Sequence, residues 1–145
     1  EGITAAFYWD YPADKSPSFW AFRAFRNFDD KGGRFLDRSV PASAAYELSR
    51  VFASRTEAGD HMVLVLLNED PTGPLNAQLD LSSCGTVLSS KAYSYAGGPQ
   101  GFTPAASDPR GRVGLVEQRL ETYSMTVLDV QLQPVRRGGP APAKP

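Results

Sequence analysis

This sequence is short of the residues that most often carry chemistry. Of 145 residues one is Cys, one is His and two are Met. A single thiol, Cys84, excludes an internal disulfide and any thiolate cluster for a metal. Its surroundings, Leu81-Ser82-Ser83-Cys84-Gly85, hold nothing to lower its pKa, so it is read as a small buried hydrophobe. His61 opens an apolar run with no nucleophile placed beside it, so no triad is supported and it is read as a polar residue at a strand edge. Charge of one sign is missing too: 15 Lys+Arg face 16 Asp+Glu, for a net −1. That excludes the basic stripe of a nucleic-acid binder. The longest apolar run, Met62 to Leu67, is far below the ~20 residues of a membrane span. Glu1 opens the chain without a leader pattern, so the chain is expected to begin inside something larger or after processing.

What is present is turn chemistry. Thirteen Gly and 12 Pro, with 41% hydrophobic residues, point to short strands and many turns rather than a helical bundle. The length suits one domain, or one domain with an appendage, and is too short for a whole (β/α)₈ barrel of roughly 250 residues.

Residues Ile3 to Trp9 form a nearly continuous apolar run, as in a strand buried on both faces. Ser16-Pro17 gives an N-cap followed by Pro at the first helical position. Ala21, Ala24, Phe25 and Phe28 then recur at helical spacing, predicting a helix over 17–28 that Asp29 to Gly33 stops. Beyond Gly33 the pattern is all-β. Strands are expected over Leu48–Ser54, His61–Asn68, Leu75–Leu81, Lys91–Ala96, Val113–Arg119 and Ser124–Leu132. His61–Asn68 is apolar on both faces, the mark of a central strand. A phase slip at Val127-Leu128 points to a bulge there. Gly97 to about Gly111 reads as a loop without phosphate-loop spacing. The fold class is therefore mainly β, an antiparallel β-sandwich preceded by one strand–helix unit. Boundaries fall at 1–33, 34–133 and a Pro/Gly-rich tail, 134–145, read as disordered.

Candidate chemistry is sparse. Phe7, Tyr8, Trp9 and Tyr11 lie where the first strand meets its loop, and Trp9 offers either a flat face for a sugar ring or a buried anchor beneath the helix. Glycoside hydrolysis needs two carboxylates about 5–9 Å apart. Glu1, Glu47, Glu57, Glu69, Glu117 and Glu121 fall mostly in turns or on exposed faces, so no catalytic residue is assigned. Asp29, Asp30 and Asp37 lack the spacing of a calcium loop and are better explained by a capped helix end, so neither metal nor cofactor is expected. Tyr93, Tyr95 and Phe102 would serve the sandwich if it were a polysaccharide-binding module.

Several runs together carry a resemblance. They are Tyr8-Trp9, Ser16 to Phe22, Phe25-Arg26-Asn27-Phe28-Asp29, Lys31-Gly32-Gly33, Val51 to Ser54, Met62 to Asp70 and Tyr123 to Leu128. This set resembles the C-terminal part of glycoside hydrolase family 44, and the closing strand is also similar to that of families 30 and 51. The resemblance implies the last strand and helix of a barrel followed by its accessory sandwich. The family's enzymes are retaining endo-β-1,4-glucanases and xyloglucanases secreted by bacteria. Their catalytic Glu pair lies on earlier barrel strands and matches nothing here. The implied partners are a β-linked glucan and the missing N-terminal barrel, with no nucleic acid or membrane. The implied substrate contacts are Trp9 and Tyr11, and the implied location is extracellular. The alternatives are a binding module or a catalytically dead surface or adhesion relative. A piece of such a protein is expected to expose a sheet edge and the helix residues Phe19, Phe22, Phe25 and Phe28.

Overall fold

A computed structural model describes residues 11–107 and 114–135. The expected strand Ile3 to Trp9 and most of the tail call lie outside the described residues.

The helix α1, Pro17–Arg26, starts as its sequence dictates. Ser16 is extended, and its Oγ accepts the Phe19 N–H at 3.2 Å while Pro17 occupies the first turn. Arg23 and Arg26 fall in the last turn, where cations suit the helix dipole. The helix ends two residues earlier than expected because Asn27 leaves helical geometry and its Oδ1 accepts the Gly32 N–H at 2.8 Å. Asp29 Oδ1 then accepts from Lys31 N–H (2.9 Å) and Gly33 N–H (2.7 Å), closing the turn.

Eight strands follow among the described residues: β1 Arg38–Val40, β2 Ser49–Arg55, β3 His61–Asn68, β4 Leu75–Asp80, β5 Gly85–Tyr95, β6 Thr103–Ala105, β7 Leu115–Leu120 and β8 Ser124–Pro134. They form a six-stranded sheet in the order β1-β2-β3-β8-β5-β6 and a two-stranded sheet β4-β7, antiparallel at every pairing. This is the expected antiparallel sandwich, with unequal layers.

Four strand expectations need correction. The Val127-Leu128 phase slip is not a bulge: β8 pairs with all of β3 in unbroken register. Both residues are fully buried because β8 is central, with Val127 in one core and Leu128 in the other. The register shift lies instead in β5, between Val87 and Ser89, leaving Leu88 63% exposed. That extra residue breaks the alternation of Gly85–Ser90, which hid the first half of β5. The loop expected over 97–111 contains the short edge strand β6, and β8 continues to Pro134, one residue into the expected tail.

Two cores result, one on each face of the large sheet. Met62, Leu64, Leu66, Leu128, Val130 and Leu132 pack against Leu81, Val116 and Leu120 from the β4–β7 side. Val63, Val65 and Val127 on the opposite face pack against Ala24 and Phe28 of α1 and the turn after it. The apolar-on-both-faces pattern of β3 is thus explained by a layer on each side.

Candidate functional site

The aromatics that a binding module would need exposed are instead used to fasten the helix. Trp20 is buried; its ring centroid lies 6.0 Å from that of Tyr95 and 6.4 Å from that of Phe102. Its indole N–H donates to the Lys15 carbonyl at 3.1 Å. Gly101, at φ +74°, lies against this ring so closely that a Cβ would overlap it. Phe28 packs on Tyr93 at 5.4 Å, and Phe25 on both Phe35 (5.1 Å) and Phe52 (5.8 Å). This corrects two expectations. Tyr93, Tyr95 and Phe102 are not a free sugar platform, and of Phe19, Phe22, Phe25 and Phe28 only Phe22 is exposed. The physical reason is one fact: the helix finds its partner in the outer face of the large sheet. The Trp20–Ala24–Phe28 stripe (i, i+4, i+8) was readable as an alternative seam. The contact of Gly101 with Trp20 left no mark in the sequence.

The acidic residues are spread out and individually engaged. Glu57 pairs with Arg38, Glu69 with Arg50 (3.3 Å) and Glu121 with Arg119 (3.1 Å). The three aspartates once compared with a calcium loop diverge: Asp29 caps its turn, Asp30 pairs with Arg23 and Asp37 with Arg34 (3.0 Å). Among the described residues no group of three or more His, Cys, Asp or Glu is placed to hold a metal.

The carboxylates that are shifted move downward. Burial pushes Asp29 up, but the Lys31 and Gly33 N–H donors outweigh it and hold the carboxyl below its usual range. Asp70 is lowered by the Thr72 hydroxyl, then by the Tyr46 hydroxyl and the Thr72 N–H. Asp80 is lowered by Ser82 through its hydroxyl and its N–H. A glycosidic general acid needs the opposite, a carboxyl raised by its site. His61 Nε2 lies 2.7 Å from Asp129 Oδ1, joining β3 to β8, so the lone His is partnered by a carboxylate across the strand pair.

Of the two expected substrate contacts, Trp9 lies outside the described residues. Tyr11 precedes α1 and is 95% exposed.

A concave feature lies on the other face. A groove of about 720 Å³ opens between β4 and the β1–β2 side of the large sheet. Val51, Ala53 and Leu64 form its floor, Leu75, Ala77 and Leu79 its wall, and the exposed segment 41–46 borders it. It exists because β4 pairs only with β7; the opposite edge of β4 meets no strand among the described residues. The expected open sheet edge is found at β4, as at β1, β6 and β7, each of which pairs on one side only among the described residues.

No family model matches the chain. Endoglucanase A of Paenibacillus lautus is 30% identical over 96 residues, which is 65% of this chain and 14% of that protein. A Paenibacillus polymyxa xyloglucanase structure from glycoside hydrolase family 44 superposes with a TM-score of 0.72 at 25% identity, covering 79% of this chain and 23% of its own. A family 44 endoglucanase structure from Clostridium acetobutylium ATCC 824 reaches a TM-score of 0.80 at 19% identity, covering 90% and 26%. This chain therefore spans about a quarter or less of the length of these relatives. Over most of its own length it is similar to the C-terminal portion of a family 44-like glycoside hydrolase.

Proposed function

We propose that this chain is the sandwich-bearing, structural portion of a glycoside hydrolase that degrades β-linked glucan outside the cell. Residues 1–33 supply the last strand and helix of a (β/α)₈ barrel, 34–133 the sandwich, and 134–145 a tail. Trp9 and Tyr11 border the substrate cleft at the end of that last strand, where barrel enzymes bind their ligands. The catalytic carboxylates come from the rest of the polypeptide, as does an extended segment that covers the β4 edge and fills the groove.

The observation that carries this reading is the fastening of α1 to the large sheet by Trp20, Ala24 and Phe28. A helix sharing one core with the sandwich ties the barrel to it rigidly, unlike a module on a linker. The likeness to the glucanase and xyloglucanase structures supports the same assignment.

Reducing-sugar release from carboxymethyl-cellulose and xyloglucan tests it. The 145-residue chain alone is expected to release none, while the polypeptide continuous with the sequence upstream of Glu1 releases sugar from at least one. Turnover by the chain alone, or none by the longer polypeptide, overturns the reading.

A further inference from the structure

The turn that carries the chain from β7 in the small sheet to β8 in the large one runs through Glu121, Thr122 and Tyr123, and Tyr123 sits at φ +47°. A left-handed residue in a turn favours Gly, because a Cβ there crowds the backbone. The other described non-glycine residues at positive φ are Lys15 and Asp30, and Asp tolerates this region. Tyr123 is the aromatic among them, and burial does not compensate it: the residue is 70% exposed. A strained backbone presenting an exposed ring is not explained by stability, and such outliers mark functional positions.

A second tyrosine is linked to it through Asp70. The Tyr123 N–H donates to the Asp70 carbonyl at 3.0 Å. The Asp70 carboxylate in turn accepts the Tyr46 hydroxyl at 2.6 Å, together with the Thr72 N–H at 2.7 Å. That bond raises the Tyr46 phenol, so it remains a neutral, oriented group, and Tyr46 is itself 39% exposed. The ion pairs Arg50–Glu69 and Arg119–Glu121 lie on the adjoining segments. Apolar ring faces edged by hydroxyls and charges match a β-linked pyranose, whose axial C–H groups cover its faces and whose hydroxyls project equatorially.

The position also fits. Trp20, in the first turns of α1, rests on Tyr95, and Tyr95 pairs with Met125, two residues beyond Tyr123. The helix start and the tyrosines thus share one end of the large sheet. A barrel helix starts on the face that carries the active site.

We propose that Tyr123, with Tyr46, forms a secondary binding surface for a β-linked glucan chain at this end of the sandwich. The ligand class rests on the glucan-degrading reading above.

Native electrophoresis of the chain through gels containing xyloglucan or hydroxyethyl-cellulose tests the surface, with soluble starch as the α-linked control. Retardation is expected in the β-glucan gels alone, retained in Tyr123→Phe and lost in Tyr123→Ala. Tyr123→Gly separates binding from structure: its Tm is expected to rise by about 2–4 °C as the strain is relieved, while retardation is lost. An unretarded wild type, retardation unchanged in Tyr123→Ala, or a lower Tm in Tyr123→Gly overturns the proposal. Hydrolysis by the longer polypeptide with no retardation of the chain removes this surface and leaves the enzyme reading; retardation without hydrolysis does the reverse.

Discussion

On one face of the six-stranded sheet a ten-residue helix is set down with Trp20 and Phe25 inward, and a loop glycine closes over Trp20. On the opposite face two six-residue strands cover the β8–β5 side and leave the β1–β2 side bordering a groove of about 720 Å³. The same central strands serve both faces, so the difference lies in what covers them. Aromatic side chains on a short helix reach far enough to seal a sheet. A two-stranded layer with small residues such as Ala77 does not. Among the described residues the first face is the more fully covered, although Phe22 and Phe52 stay exposed there; the second keeps an open groove.

That contrast can be broken most directly at Trp20. Trp20→Ala removes the ring that joins α1, Tyr95, Phe102 and Gly101, and is expected to cost about 3–5 kcal/mol by urea unfolding. Leu79→Ala, on the groove wall, should cost well under half of that, because its side chain is already partly solvated. Equal losses would dissolve the distinction between the faces.

Overfilling gives the next largest effect. Gly101→Ala meets the Trp20 ring from a left-handed backbone and is expected to lose roughly 1–3 kcal/mol. Ala24→Leu, at a fully buried helix position, should behave alike. Ala77→Leu places added bulk in the groove and is expected instead to stabilise the chain by up to about 1 kcal/mol, read as a higher urea midpoint. If a further segment fills that space as proposed above, the sign should reverse in the longer polypeptide.

The smallest effect concerns acid. The folded-state pKa of Asp29 is depressed, so its contribution is present above the usual carboxylate value of 3.8 and is lost as pH falls through the lower folded value. Wild type should therefore be more stable than Asp29→Asn at neutral pH. The gap should close below about pH 4 in thermal melts taken across the range.

Much of this fold was legible because its signals are local. The Ser16-Pro17 cap needs only neighbouring residues, and the double-sided apolarity of His61–Asn68 is what a central strand must show. The bounds of β3 match the sequence reading to the residue. Less was legible where two distant segments decide the outcome. The bulge at Leu88 disguised half of β5. The burial of Val127 and Leu128 on opposite faces looked like a slip until both covering layers were known. Helix seams only one residue apart also read alike, and the choice between Ala21 and Trp20 was made by Tyr95 and Phe102, some seventy-five residues away.

The candidate site was legible mainly through resemblance. Tyr11 gives no sign in isolation beyond its type, and the hydrogen bond from Tyr46 to Asp70 joins segments whose sequences offer no periodicity. The left-handed geometry of Tyr123 belongs to a turn in which Gly would have been the signal.

The position of β8 also bears on how the domain is made. It is the last strand of the described chain, yet it lies in the middle of the large sheet, between β3 and β5. While a ribosome is still extending the chain, β1-β2-β3 and β5-β6 can pair only as separate pieces, each with an apolar edge awaiting the same partner. The sheet closes when residues 124–134 emerge, so assembly comes late, and until then the unpaired edges of β3 and β5 are open to mispairing. A stop codon that removed only this final strand would not trim the domain. It would divide it.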